Sequence, residues 1–277
     1  KPKIIYICSG SNKHIFYFKK FKNITKNIFI EKPLSNDFSI VKNLIVQSKN
    51  NFQVGYFLRF HSLINQIRKI IKKENFGRVK SVKIHVGQHL SQWRKIDYDK
   101  SVSAKKKLGG GALLELSHEI DYALYLFGYP KYVYCVKKKL SNLKIQTEDS
   151  VNIIFEYAKD DKIIEISLNM FETFKSRSLK IVFENSTLEL DLLKNSLFNK
   201  QKKVKLVKRL GTEYIKKLFF LQSNQFLKKS IKDYKTKLKD NVSNNNFADI
   251  RSSVKLMKII HHLNLSNKMN KKIQVRY

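Results

Sequence analysis

The sequence predicts an α/β chain in two parts. Residues 1–58 read as what remains of a doubly wound parallel sheet whose first β-α-β unit is missing, and residues 59–277 as an α+β domain on a large, open, mostly antiparallel sheet. Three observations carry this. The opening 58 residues alternate continuous apolar runs with helical patterns, β-α-β-α-β. From about residue 79 the apolar residues switch to strict alternation, which marks sheets with one wet and one dry face. Between the alternating segments lies one strongly apolar helical run, GGGALLELSHEIDYALYLFG at 109–128, long enough to cover the dry face.

In chain order, KIIYIC (3–8) is apolar throughout, as a strand buried on both faces should be. The polar turn SGSN follows, then aromatic and aliphatic residues at helical spacing from Lys13 to Lys22. NIFIEKP is a second strand stopped by Pro33. Ser35 or Asn36 is placed to cap a helix with apolar positions Phe38, Ile40, Val41, Leu44 and Ile45. FQVGYFL is the third strand. Phe60 to Lys73 is an amphipathic helix ending at the Gly77 turn. VKSVKIHVGQH, KYVYCVKKKL, SVNIIFEY, KIIEISLNM, RSLKIVFE and TLELDLL all alternate with period two. A helix from Ala112 to Phe127 should pack on their dry face. Later helices fall at about 213–232 and 247–263, the second expected to pack back on the first part, and IQV at 273–275 can add a last strand. Three parallel strands make a poor domain, and the chain opens directly in a strand without a methionine. An N-terminal truncation is the expectation.

Of 277 residues 42% are hydrophobic, enough for one large core or two smaller ones. No run reaches membrane-spanning length, and the apolar part of KPKIIYICSG is too short for a signal peptide. Cys8 and Cys135 lie far apart, form no CxxC pair and sit in apolar runs. They read as free core thiols in a reducing cytoplasm. The formal net charge of +34 invites a nucleic-acid role, but only eight of the 56 basic residues are arginines and the lysines are spread along the chain. Steering of anionic small molecules fits the same charge.

Two segments offer chemistry. EKP, Glu31 to Pro33, stands at the carboxyl end of a parallel strand, where ligands sit in open α/β sheets. A lysine there can hydrogen-bond a substrate hydroxyl or a cofactor amide, and Pro33 can adopt a cis bond. In the 109–128 run, Glu115, His118 and Asp121 lie near one helical stripe, and a histidine between carboxylates has a tunable pKa. Taken singly, each also has a plain structural explanation: a strand end with one lysine of many, and a helix with a capping glutamate and a hydrogen-bonded core histidine. His14, His61, His85 and His89 show no metal spacing, and no metal site is expected. P-loop, Gly-x-Ser-x-Gly and GxGxxG motifs are all missing.

Taken together, ICSGSNKH, IFIEKPLS, VGYFLRF, SQWRKIDY and GGGALLELSHEIDYALYLFG, in this order, resemble the Gfo/Idh/MocA oxidoreductases over nearly the whole chain. The resemblance implies a Rossmann domain binding NAD or NADP, then a substrate domain whose open sheet serves as a dimer or tetramer interface. It implies that Lys32 contacts nicotinamide and substrate. Ser9, Asn12, His14, Glu31 and Pro33 would lie near the cofactor, and Trp93 and Arg94 would approach it from the second domain. Arg59 and Tyr98 would face substrate, and His118 would be the acid/base for the substrate hydroxyl. Glu115 stands where many members carry Asp, while alignment from the histidine side matches Asp121, so either could be the carboxylate partner of His118. The expected activity is hydride transfer between a nicotinamide and a sugar or sugar-nucleotide carbon, in carbohydrate or surface-glycan metabolism. The family's phosphate-binding glycines would precede Lys1, so this chain alone is expected to be inactive. The competing expectations are a non-catalytic ligand- or partner-binding relative and, behind it, a basic nucleic-acid-binding protein.

Overall fold

The computed structural model describes residues 1–44, 50–93, 97–158, 161–199, 206–207, 213–230 and 246–277. Its first sheet holds β1 (Ile5–Ile7), β2 (Asn27–Ile30), β3 (Asn51–Val54) and β12 (Ala248–Asp249) in that spatial order. The first three are parallel, and β12 adds antiparallel to β3. β2 and β3 are buried on both faces, as their composition requires, while the edge strand β1 leaves Tyr6 exposed. On one face Phe52, in register with Ile28, meets Phe18 of α1 (His14–Phe21) at 5.0 Å between ring centroids. On the other, Phe29 and Tyr6 pack on Phe226 of α5 (Glu213–Ser230). The chain therefore returns to this sheet after residue 213 with both α5 and β12.

The second sheet has nine strands in the order β11-β10-β9-β8-β4-β7-β6-β5-β13. These are β4 (Val79–Gly87), β5 (Tyr132–Lys138), β6 (Ser150–Glu156), β7 (Ile163–Asn169), β8 (Ser176–Phe183), β9 (Thr187–Asp191), β10 (Ser196–Asn199), β11 (Leu206–Val207) and β13 (Ile273–Gln274). Every neighbouring pair is antiparallel except β4 with β7. Val82, Ile84, Ile164, Ile166, Val151 and Ile153 face the core, while Lys83, Glu165 and Asn152 alternate outward. The β5 edge is closed by α6 (Ile250–Met269). Ser266 Oγ accepts from the Cys135 amide at 3.0 Å and Asn267 Oδ1 from the Lys137 amide at 2.6 Å.

Several local expectations change. Over 35–44 there is only a 3₁₀ turn at Phe38–Ile40, and its cap is Asp37, whose Oδ1 accepts from the Ser39 amide. Ser35 Oγ instead accepts from the Asp37 amide. Short polar side chains here bond their own backbone and compete with a regular helix. The 112–127 helix breaks at Leu116 into α3 (Ala112–Glu115) and α4 (Ser117–Phe127). The last helix begins with Asp249 as N-cap and continues to Met269, further than expected, until Asn270 takes a left-handed φ of 48°. Cys135 is buried, but Cys8, one residue past β1, is exposed.

Candidate functional site

The two chemistry-bearing segments converge. Lys32 follows β2, and its Nζ donates to the backbone oxygen of Glu115 at 2.7 Å, at the junction between α3 and α4. His118 is on the first turn of α4, three residues further. It is only 5% exposed, and its walls are the rings of Tyr56 and Phe57, from the segment just after β3, at 5.5 and 4.4 Å. Burial first, and then the charges of Lys32 and Arg177, push its pKa well below the ordinary histidine value. The ring is a neutral imidazole near pH 7. Its Nδ1 is buried without a hydrogen-bond partner.

Neither proposed carboxylate partner bonds this imidazole. Glu115 Oε2 accepts from Ser103 Oγ at 2.9 Å. Asp121 is bound by Arg59 through two hydrogen bonds of 2.8 and 2.7 Å, and both side chains are buried. Arg59, expected to face substrate, is thus committed to a buried ion pair and to the Phe247 carbonyl. Glu119, which no reading of the sequence paired, is fully buried against Arg177 of β8, with bonds of 2.6 and 3.1 Å. So α4 is fixed by Arg59, from the segment after β3, and by Arg177, from the second sheet, with His118 beside both anchors.

The glycine triplet has a steric reason. Gly109 has φ 84°, and a Cβ there would strike Ser11 Oγ and Asn36. Gly111 has φ 106°, and a Cβ there would run into the Glu148 carboxylate, which accepts from the Leu113 amide at the start of α3. The loop of 101–111 thereby lies directly on the β1–α1 loop, where Ser11 Oγ donates to the Leu108 carbonyl.

The other expected cofactor residues divide. Ser9 and the exposed Asn12 are in the β1–α1 loop. Glu31 accepts from the Lys32 amide, and burial raises its pKa. Pro33 follows a cis peptide bond. His14 is 1% exposed and both ring nitrogens meet backbone oxygens, so it offers no free nitrogen to a ligand. Trp93 Nε1 donates to the Gln88 carbonyl. Tyr98 OH accepts from the Lys144 amide at 3.3 Å. Arg94 lies outside the described residues. Sequence reasoning missed Tyr56, Phe57, Ser103 and Arg177. Tyr56 and Phe57 carried a usable signal, since they directly follow a parallel strand.

Residues 64–189 match the family model described as the GFO/IDH/MocA C-terminal domain. Glucose-6-phosphate 3-dehydrogenase of Bacillus subtilis (strain 168) is 25% identical over 138 residues, covering 48% of this chain and 39% of that protein. The match thus spans well under half of that relative. Among solved structures, the WlbA dehydrogenase from Bordetella pertussis in complex with NADH and UDP-GlcNAcA superposes with a TM-score of 0.73 at 17% identity, over 100% of this chain and 80% of that one. The myo-inositol 2-dehydrogenase from Lactobacillus plantarum does so with a TM-score of 0.75 at 18% identity, over 99% and 80%. At such identities the likeness is one of fold, a Rossmann sheet followed by a large open sheet. Residues 64–189 thus match a GFO/IDH/MocA C-terminal domain, and the two-sheet architecture of the chain is that of the dehydrogenases on which it superposes.

Proposed function

We propose that the paired Lys32 and His118 serve hydride transfer between a nicotinamide cofactor, NAD or NADP, and a hydroxyl- or carbonyl-bearing carbon of a sugar or sugar nucleotide. The observation that carries this reading is the convergence of the Lys32 amine, bonded 2.7 Å from the Glu115 oxygen, with a desolvated imidazole three residues on. The orphaned Nδ1 of His118 fits a site completed by a ligand. A bound nicotinamide would supply the hydride acceptor or donor. The β1–α1 loop with Ser9 and Asn12, the Glu31–Pro33 turn and Trp93 would hold it.

The protein's own contribution is positional and protonic. Lys32 uses one of its three N–H donors on Glu115 and has two left for a substrate oxygen. His118, neutral at pH 7, can accept the hydroxyl proton, and the depressed pKa keeps it competent below the usual histidine range. The buried ion pairs of Glu119 and Asp121 hold α4, and with it the imidazole, in place. We place a dimer or tetramer contact on the outward face of the nine-stranded sheet, where Tyr134, Ile154, His85 and Ser167 border a hollow of about 340 Å³.

The test is turnover with NAD⁺ and NADP⁺ on D-glucose 6-phosphate, UDP-GlcNAcA and myo-inositol, the compounds that the names of relatives supply. Lys32→Ala and His118→Ala should each lower turnover by about a hundredfold or more with the fold intact. Near-wild-type rates from both would remove the assignment. Cofactor binding without turnover would favour a non-catalytic relative.

A further inference from the structure

His14 is spent on backbone alone. Its Nδ1 lies 2.8 Å from the Pro33 carbonyl oxygen and its Nε2 lies 2.8 Å from the Ser9 carbonyl oxygen. Both partners only accept, and burial lowers the ring's pKa, so near pH 7 the ring is neutral, carries a single N–H and donates to only one of them; it is 1% exposed. What it bridges is specific: the loop after β1 and the turn after β2, the two strand ends at which an open α/β sheet places ligands. The Pro33 carbonyl is one residue from Lys32, whose amine reaches the Glu115 carbonyl. The loop on the other side of the bridge is itself fixed to 101–111 through Ser11 and Leu108.

We propose that His14 is a positioning residue: with its proton on Nδ1 it donates to the Pro33 carbonyl and sets the turn that carries Lys32 toward Glu115, while Nε2 rests against the Ser9 carbonyl of the β1–α1 loop. The catalytic consequence rests on the dehydrogenase reading; the placement of Lys32 does not. The two ring nitrogens can be separated by substitution. An asparagine amide nitrogen sits near the place of Nδ1 and keeps the Pro33 bond, while a glutamine amide nitrogen reaches the place of Nε2 and gives the Pro33 bond up. His14→Asn should therefore preserve the placement of Lys32 and His14→Gln should lose it, whereas a residue that merely fills space would respond alike to both.

The readout independent of turnover is competitive labelling of the intact chain with trace acetic anhydride, resolved by peptide mass spectrometry. In the wild type, Lys32 should label more slowly than exposed Lys19. It should stay slow in His14→Asn and speed up severalfold in His14→Gln and His14→Phe, with Lys180 in the second sheet as the unchanged reference. Where turnover is measurable, kcat should follow the same order, falling about a hundredfold in His14→Gln and little in His14→Asn. Equal labelling of Lys32 in the asparagine and glutamine variants overturns the proposal. So does a wild-type Lys32 as reactive as Lys19, a result that stands even if no variant folds. Slow, variant-sensitive labelling in a protein without turnover would leave His14's role standing and remove the dehydrogenase reading instead.

Discussion

The chain contains ion pairs of one chemistry in two settings. On α4, Asp121–Arg59 and Glu119–Arg177 are bidentate and buried, with side-chain exposures of 1%, 8%, 0% and 13%. On the outward face of the nine-stranded sheet, Lys83–Glu165 spans 3.6 Å with exposures of 67% and 53%. Water screens the second pair and leaves it nearly worthless for stability. The first two pairs are desolvated, so each partner is costly without the other. Buried pairs are a poor way to gain stability but an effective way to fix where a helix sits, and His118 is on that helix.

The contrast breaks most sharply at α4. Asp121→Asn, which strands the Arg59 guanidinium, should cost about 3–5 kcal/mol in denaturant unfolding, and Glu119→Gln about the same by stranding Arg177. Losses below about 1 kcal/mol would mean that water already reaches these pairs.

Acid should act on the same interior through its histidines. Burial pushes His61 down to about 4, and burial likewise lowers His118 and His14. Between pH 6.5 and about 4 the unfolded chain takes up a proton at His61 that the folded chain refuses. Stability should therefore fall as pH drops through that window and show no dependence from this group above it, on the order of 2–3 kcal/mol from His61. A melting temperature flat from pH 7 to 4.5 would contradict this.

Replacing both partners sharpens the contrast further. Arg59→Met with Asp121→Leu should unfold within about 2 kcal/mol of wild type although each single change is severe, because no charge is left stranded. The smallest effect belongs to the sheet face, where Lys83→Ala should shift stability by less than about 1 kcal/mol and become silent at high salt.

Much of this architecture is legible in the residues. Continuous apolar runs announce β1, β2 and β3, and alternation announces β4 to β9, because burial on one face or two is a property of each segment's own spacing. The exceptions are short or locally contested. β12 is two residues long and exists only through its register with Val54 and Gln53. The stretch after Pro33 has helical apolar spacing but loses to the side-chain bonds of Ser35 and Asp37. At the site, the sequence pointed to Lys32 and His118 as chemistry-bearing and to Glu115 and Asp121 as nearby carboxylates. It could not say that Asp121 belongs to Arg59, 62 residues away, or Glu119 to Arg177, 58 away.

By itself the sequence determined the two sheets and their order and marked out Glu31 to Pro33 and 109–128 as candidates for chemistry, since hydrophobic period and residue type are local. Only the tertiary structure decided which titratable groups stay available. It turned Arg59, Asp121 and Glu119 into anchors and His14 into a backbone bridge, and it left His118 as a neutral, desolvated imidazole beside Lys32. Desolvation and pairing depend on neighbours contributed by distant segments, and no spacing along the chain encodes those neighbours.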